Sequence, residues 1–326
     1  MKATRSLWVA AALALSFCQI AAHAQDAAYP NRPIKMLVGF GAGGGTDIAA
    51  RIMAQKMSEI LGQSIVVENR TGASGMIAAE DEAKSAPDGY TLMMGSQTTY
   101  AVAPNLYRKV TLDAAKDFAG VAMTGASPLV LVVNPSFAAQ SVKDVIAMAK
   151  ANPGKINFGT GGLGTTPHMT AELFQYTAGI KMVHVAYRGE APAINDLLAG
   201  QIPLMFANLS AVMGNLKGGT LRALAVTGAQ RWFSLPEVPT MIELGYPNFV
   251  SDTFNALFAP AGTPPAIVAL LVKESRAAFQ NPEARDQARK VGFEIVAGTP
   301  EQLAARVAAE VPAVRDLVTK AGIKAE

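Results

Sequence analysis

Apolar residues along the chain follow two alternating rhythms. The run "IKMLVGF" (34–40) is continuous and short, as a buried strand would be. From 46 to 61 the apolar positions Ile48, Ile52, Met53, Met57, Ile60 and Leu61 repeat with helical spacing and stop at Gly62. "SIVVEN" (64–69) predicts a strand, "GMIAAEDEAKSA" (75–86) a helix ended near Pro87, and "YTLMMGS" (90–96) a strand. This β-α-β-α-β order implies a parallel sheet with helices on both faces. "LVLVV" (129–133) starts a second set. It continues through a helix capped by Ser141 and stopped at Pro153 and Gly154, then "INFGTGG", "TPHMTAELFQYTAG", "MVHVAY", "APAINDLLAG", "IPLMFAN" and "LRALAVTG". "FNALFAPAGTPP" (254–265) reads as an extended segment that breaks the rhythm. Helical patterns follow at 265–280, 282–290 and 300–321, with "GFEIVAG" (292–298) as a strand between them. No internal repeat and no low-complexity tail is visible.

The second set can close a core only as a second lobe, and the tail helices would return to cover the first. The expected organisation is a signal peptide at 1–24, a first lobe from 25–125 and 254–326, and a second lobe from 126–253. Lys2 and Arg5 precede the apolar run "LWVAAALALSFCQIAA", which is too short for a comfortable membrane span, and "AHA" (22–24) is a small-x-small cleavage site. The product is expected to be exported to the periplasm. Cys18, the chain's one cysteine, lies inside that signal; Phe17 before it is too bulky for a lipidation site. The mature chain therefore has no disulfide, thiol nucleophile or thiolate metal site. Without Lys2 and Arg5 the basic count of 28 falls to 26 against 25 acids, with no basic block suited to nucleic acid.

Candidate chemistry centres on glycine. "GFGAGG" places Gly39, Gly41 and Gly44 in the G-x-G-x-x-G pattern between a strand and a helix, the setting of a dinucleotide fingerprint. "GTGGLG" repeats it at Gly159, Gly161 and Gly164. One dinucleotide does not need two such turns from different halves, and no lysine follows Gly44 or Gly45 to make a Walker motif. No cofactor is expected. Two helix N-termini facing each other across a cleft would instead offer N–H groups and partial positive charge to a small anion. Thr46, Ser74, Ser96, Thr98, Thr99, Thr160, Thr165 and Thr166 could add hydroxyls, although each turn could also be tight packing and each hydroxyl a cap. Asp47 reads as a helix cap, since a carboxylate beside an anionic ligand would repel it.

Other chemistry is thin. His168 sits in a first helical turn, where it could touch ligand or bond locally; His184 lies in a strand and reads as structural. There is no metal-spaced His or carboxylate set, and no nucleophile elbow or nucleophile–base pair, so neither a metal site nor an enzyme is expected. Arg188 in "YRGEAPA" could grip a carboxylate with two parallel bonds, or pair with Glu190 or an acid of the other lobe; Tyr187 shares that strand end.

These stretches together carry a resemblance. "YPNRPIKMLVGFGAGGGTDIAAR", "VVENRTGASGMIAAE", "APDGYTLMMGS", "NFGTGGLGTTPHMTAEL", "VAYRGEAPAINDLLAGQIPLMF", "LRALAVTG", "LPEVPTMIELGYP" and "LFAPAGTPPAIV" run in order over nearly the whole mature chain. The chain resembles the solute-binding proteins of tripartite tricarboxylate transporters, the Bug receptors. The resemblance implies an α/β, two-lobed periplasmic-binding-protein (Venus-flytrap) fold, each lobe a mainly parallel sheet flanked by helices. It implies a receptor that holds a small carboxylate between its lobes and delivers it to the membrane permease; a monomer that takes a di- or tricarboxylate or an aromatic acid is expected, and a ligand-presenting sensor subunit is the alternative. Carried over by position, the ligand-binding residues are Ala42, Gly43 and Gly44; Ser96, Gln97 and Thr98; Thr160, Gly161, Thr165 and Thr166, with His168 flanking; then Tyr187, Arg188 and Asn208. The chain departs from the pattern after "LMF", where many relatives have an acid and this one has Ala207 followed by Asn208. If that position faces the cleft, a partner for a ligand ammonium is gone, which points to a plain acid over an amino acid.

Overall fold

The computed structural model describes residues 29–107 and 112–323; the expected signal peptide, with Lys2, Arg5 and Cys18, lies outside the described residues. The chain opens with β1 (Ile34–Val38), α1 (Gly45–Leu61), β2 (Ile65–Asn69), α2 (Met76–Ala83) and β3 (Thr91–Ser96). β1 pairs in parallel with both β2 and β3, as the alternating pattern requires. A π-helical turn at Thr98–Val102 runs into the short α3 (Ala103–Leu106), and then comes β4 (Phe118–Val133). The second set is α4 (Val142–Ala151), β5 (Asn157–Thr160), α5 (Thr166–Ala178), β6 (Val183–Ala186), α6 (Glu190–Leu198), β7 (Leu204–Asn208), α7 (Leu209–Lys217) and β8 (Arg222–Val226). β9 (Asp252–Pro260), α8 (Pro265–Gln280), α9 (Pro282–Lys290), β10 (Glu294–Gly298) and α10 (Pro300–Lys320) complete it.

The strands follow the order β2-β1-β3-β9-β4-β7-β5-β6, with β10 and β8 also on β4. The 16-residue β4 belongs to both lobes. Its first part pairs antiparallel with β9 and β10, its last five residues with β7 and, in part, β8. "LVLVV" is thus the end of a strand that begins at Phe118. Gly120, Gly125 and Pro128 hide that continuity in the sequence, and β-bulges near both glycines absorb the irregularity. The expected parallel pairs are present, but the antiparallel β4, β9, β8 and β10 make each lobe a mixed sheet. β4 and β9 carry the ladder from one lobe into the other, with Ser127 opposite Thr253 and Pro128 opposite Asp252.

Each sheet face has its own apolar layer. Met53 and Met57 of α1 join Leu271, Ala278 and Phe279 of α8 over β1. The buried stripe of α1 is built on Ala49, Ala50, Met53, Ala54 and Met57, whereas Ile60 is exposed. The alanines matter because α8 packs on that face, so the stripe is rotated from the one the larger apolar residues suggest. Leu303 of α10 packs with Tyr100, Phe118 and Phe258 on the opposite face. α10 starts with a capping box formed by Thr299 and Gln302. α10 thus packs on the sheet face that carries Tyr100 and Phe258. In the second lobe Phe158, Phe174, Phe206 and Phe249 fill one face, and Ile194, Leu197, Met205 and Val212 the other. Among the described residues no helix is long and apolar enough to cross a membrane.

Candidate functional site

The first glycine turn delivers α1 to the boundary between the lobes. Gly43 takes a left-handed φ of 79° and Gly44 is the helix N-cap in extended backbone. Asp47 lies behind this turn. Its carboxylate accepts from the Gly43 N–H at 2.9 Å, from Asn69 Nδ2 at 2.9 Å and from Arg51 Nε at 2.9 Å. Burial alone would raise its pKa, but these donors hold the carboxyl below its ordinary value. Asp47 is thus a first-turn acid whose bonds fix the glycine loop, while Gly44 is the N-cap.

The second turn delivers α5. Thr165 is its N-cap and accepts from the His168 N–H, while the Thr165 hydroxyl donates to the Gly162 carbonyl at 2.9 Å. Beneath the turn His168 and His184 stack with ring centroids 4.2 Å apart. His168 Nδ1 accepts from the Gly164 N–H at 3.2 Å, and His184 Nε2 lies 2.6 Å from Thr160 Oγ1. Burial pushes His168 down to about 3, with His184 adding repulsion, and pushes His184 down to about 4. Both rings are neutral props of the glycine loop.

The two turns meet across one cleft. Thr166 N donates to Thr98 Oγ1 at 3.0 Å, and the two hydroxyls are 2.9 Å apart. Ser74 Oγ donates to the Leu163 carbonyl at 2.5 Å. That reach is set by a strained stretch in which Ala73 and Ser74 adopt left-handed φ of 44° and 55°. Gly45 N, at the start of α1, donates to Glu190 Oε2 at 3.1 Å. Glu190 also accepts from Asn208 N at 2.7 Å and Asn208 Nδ2 at 2.9 Å. Its burial raises the carboxyl pKa, with these three donors opposing the rise. The enclosed space is about 30 Å³, room for a water or two. Ser96 Oγ borders it, buried and without a partner among the described residues. Among the described residues no lysine or arginine lines it. A wider mouth of about 520 Å³ shares Phe40, Gly161 and Thr165 with the inner cavity and carries Tyr187 and Arg188.

This architecture matches known proteins along nearly its full length. The family described as "Tripartite tricarboxylate transporter family receptor" matches residues 49–323. The chain belongs to the tripartite tricarboxylate transporter receptor family. It is 39% identical over 306 residues to Protein BugT of Bordetella pertussis, covering 94% of each chain. An R. palustris protein solved with adipate superposes with a TM-score of 0.89 at 36% identity, over 91% of this chain and 100% of that one. MatC from Rhodopseudomonas palustris with bound malate superposes at 0.85 and 30% identity, over 89% of this chain and 100% of that one. The fold is accordingly that of a two-lobed periplasmic binding protein, and the family is one of carboxylate-binding receptors.

Within this receptor the positions carried over from the family divide into three groups. Gly44, Ser96, Thr98, Gly161, Thr165, Thr166 and Asn208 line the inner cavity. Tyr187 and Arg188 lie at the mouth; Tyr187 Oη donates to Asp196 at 2.7 Å, and Arg188 is exposed and makes no ion pair with Glu190. The rest do not line the inner cavity. Ala42 and Gly43 face solvent, Gln97 turns toward the groove beside α10, and Thr160 and His168 are committed to holding the loop. Ala207 is fully buried in the second lobe's core, so the absent acid there does not bear on the cleft. Sequence reasoning missed Gly45, Phe40 and Thr253 as cavity walls, and placed Glu190 only as a partner for Arg188. An acid at the first position of a helix after "YRG" was the available signal for Glu190.

Proposed function

We propose that this protein is a periplasmic receptor that captures a small carboxylate, of the di- or tricarboxylate or aromatic-acid class, between its lobes and delivers it to the membrane permease of a tripartite tricarboxylate transporter. The lobes would be 25–125 with 254–326, and 126–253, after removal of the signal at 1–24. The change of β4 partners near Pro128 supports that division. The observation that carries the reading is the meeting of the start of α5, the Thr98 and Thr166 hydroxyls and the Ser96 hydroxyl, which has no partner among the described residues, on one cavity that no described cationic side chain lines. N–H groups, hydroxyls and helix dipoles supply the attraction for an anion there. The cavity is too small for a dicarboxylate, so the lobes part to admit it and closure completes both sets of bonds. The adipate and malate of the two solved relatives support the ligand class. In this reading the chain acts as a receptor and not an enzyme, as a monomer without cofactor or metal.

Native mass spectrometry of protein purified from its host tests the reading. A co-purified organic acid that exchanges with added carboxylates is the expected result. Protein that carries no acid and binds none from a panel of aliphatic and aromatic carboxylates would overturn it. Pulldown of membrane fractions with and without that acid tests delivery; the permease should be enriched with ligand.

A further inference from the structure

The seat that an anion would take at the N-terminus of α1 is already filled by the protein itself. Glu190 Oε2 accepts the Gly45 N–H at 3.1 Å and Asn208 Nδ2 at 2.9 Å, and Oε1 accepts Asn208 N at 2.7 Å. A carboxylate offers about four acceptor sites, so one remains on Glu190 Oε1. Glu190 is buried, and among the described residues no lysine or arginine lines the cavity to neutralise it. The opposite side of the same cavity differs. There the Ser96 hydroxyl is unpartnered, and the Thr98 and Thr166 hydroxyls lie at the start of α5. The cavity lining is thus asymmetric: hydroxyls come from one set of residues and the Glu190 acceptor from another.

We infer that Glu190 determines which acids the cleft accepts, by requiring a hydrogen-bond donor on the ligand, a hydroxyl or an ammonium, opposite the carboxylate that Ser96 and α5 receive. This rests on the receptor reading above and narrows it. A ligand with a bare second carboxylate at that end would meet like charge in a site shielded from water, where repulsion is strong. A hydroxyl or ammonium would satisfy the remaining acceptor site of Glu190 with a charge-assisted bond. Burial disfavours the charged carboxylate, which adds to the gain when a cation or hydroxyl donor arrives. The same geometry removes the argument from Ala207 for a plain acid, because the acidic group of this cleft comes from α6 and not from β7.

Titration calorimetry at pH 7.5 with matched acids decides the matter. Succinate, malate and aspartate differ only in the donor on one carbon; propionate, lactate and alanine form a shorter set. The unaltered protein should bind malate or aspartate at least about tenfold more tightly than succinate, the effect of one hydrogen bond to a charged group. Which of the two is preferred separates hydroxyl from ammonium. Glu190→Gln should reduce that ratio to below about threefold, mainly by gaining affinity for succinate. If E190Q fails to fold, Glu190→Asp, which withdraws the carboxylate by one methylene, should lose about tenfold for the donor-bearing acid and bind succinate no more weakly. A ratio near one in the unaltered protein, or a ratio that neither variant changes, would overturn the assignment. Failure of every acid to bind removes the receptor reading itself; binding without discrimination removes only the role of Glu190.

Discussion

Replacing Gly45 with alanine should act as a one-methyl wedge between the lobes. Gly45 is the first residue of α1, and its backbone needs no left-handed conformation. A Cβ there would lie 2.7 Å from Asn208 Cβ, 3.0 Å from Asn208 Cγ and 3.1 Å from Ser210 Oγ, all across the cleft. Carbon atoms in ordinary contact are about 3.5–4.0 Å apart, so the two walls must separate by about 1 Å. The bond from Gly45 N to Glu190, now 3.1 Å, would lengthen to about 4 Å and be lost. A hydrogen bond to a charged group contributes about 1.5–3 kcal/mol, which corresponds to roughly a ten- to hundredfold weaker closed state. The lobe itself should not suffer. Alanine for glycine in a helix gains up to about 1 kcal/mol through helix propensity and a less disordered unfolded chain. Calorimetry with the bound acid, urea unfolding of the ligand-free protein and small-angle scattering with ligand would separate the two effects. G45A is expected to bind at least tenfold more weakly, to scatter as a more open particle and to unfold at equal or higher urea. Unchanged affinity, or a loss of ligand-free stability above about 1 kcal/mol, would refute the reasoning, because the contact would then belong to the resting fold.

Thr166→Val keeps the volume and the N–H bond to Thr98 but removes the hydroxyl; ligand affinity should fall about tenfold with a stability change below about 1 kcal/mol, read by calorimetry and Tm. Ser96→Ala removes a buried hydroxyl that has no partner among the described residues, so thermal stability should hold or rise while affinity drops. His168 and His184 are held down to about 3 and about 4 from an ordinary 6.5, so the unfolded chain takes up their protons first. Their stabilising contribution is complete above pH 6.5 and is lost as pH falls from there toward 3, with a slope up to about 1.4 kcal/mol per pH unit for each ring. His184→Gln should shallow that slope in urea unfolding between pH 7 and 5. Glu82 is fully buried, its carboxyl raised by desolvation, with Tyr100 Oη at 3.3 Å opposing the rise and Oε1 unpartnered. A raised folded pKa means that stability is present below about 4.5 and declines as pH climbs above it. Glu82→Gln should therefore stabilise the protein at pH 7 and lose that advantage near pH 4.

The sequence alone determined what depends on neighbours along the chain. The two glycine turns, the helices they open, the Ser141 and Thr165 caps and the tail helices all rest on local φ/ψ, capping and apolar period, which a short window carries. It also gave Asp47 a local role at the helix start, since its partners Gly43 and Arg51 lie four residues to either side. Only the tertiary structure decided which hydroxyls reach the cavity. Thr160 and Thr165 are separated by five positions, yet one holds a histidine and the other borders the cleft. The passage of β4 between lobes was equally hidden, because its bulges and Pro128 look like breaks until β9 pairs beside them. The same holds for the charge of the site. Gly45 and Glu190 lie 145 positions apart, and only the meeting of two lobes turns a helix-starting acid into the carboxylate seated on another helix's N-terminus.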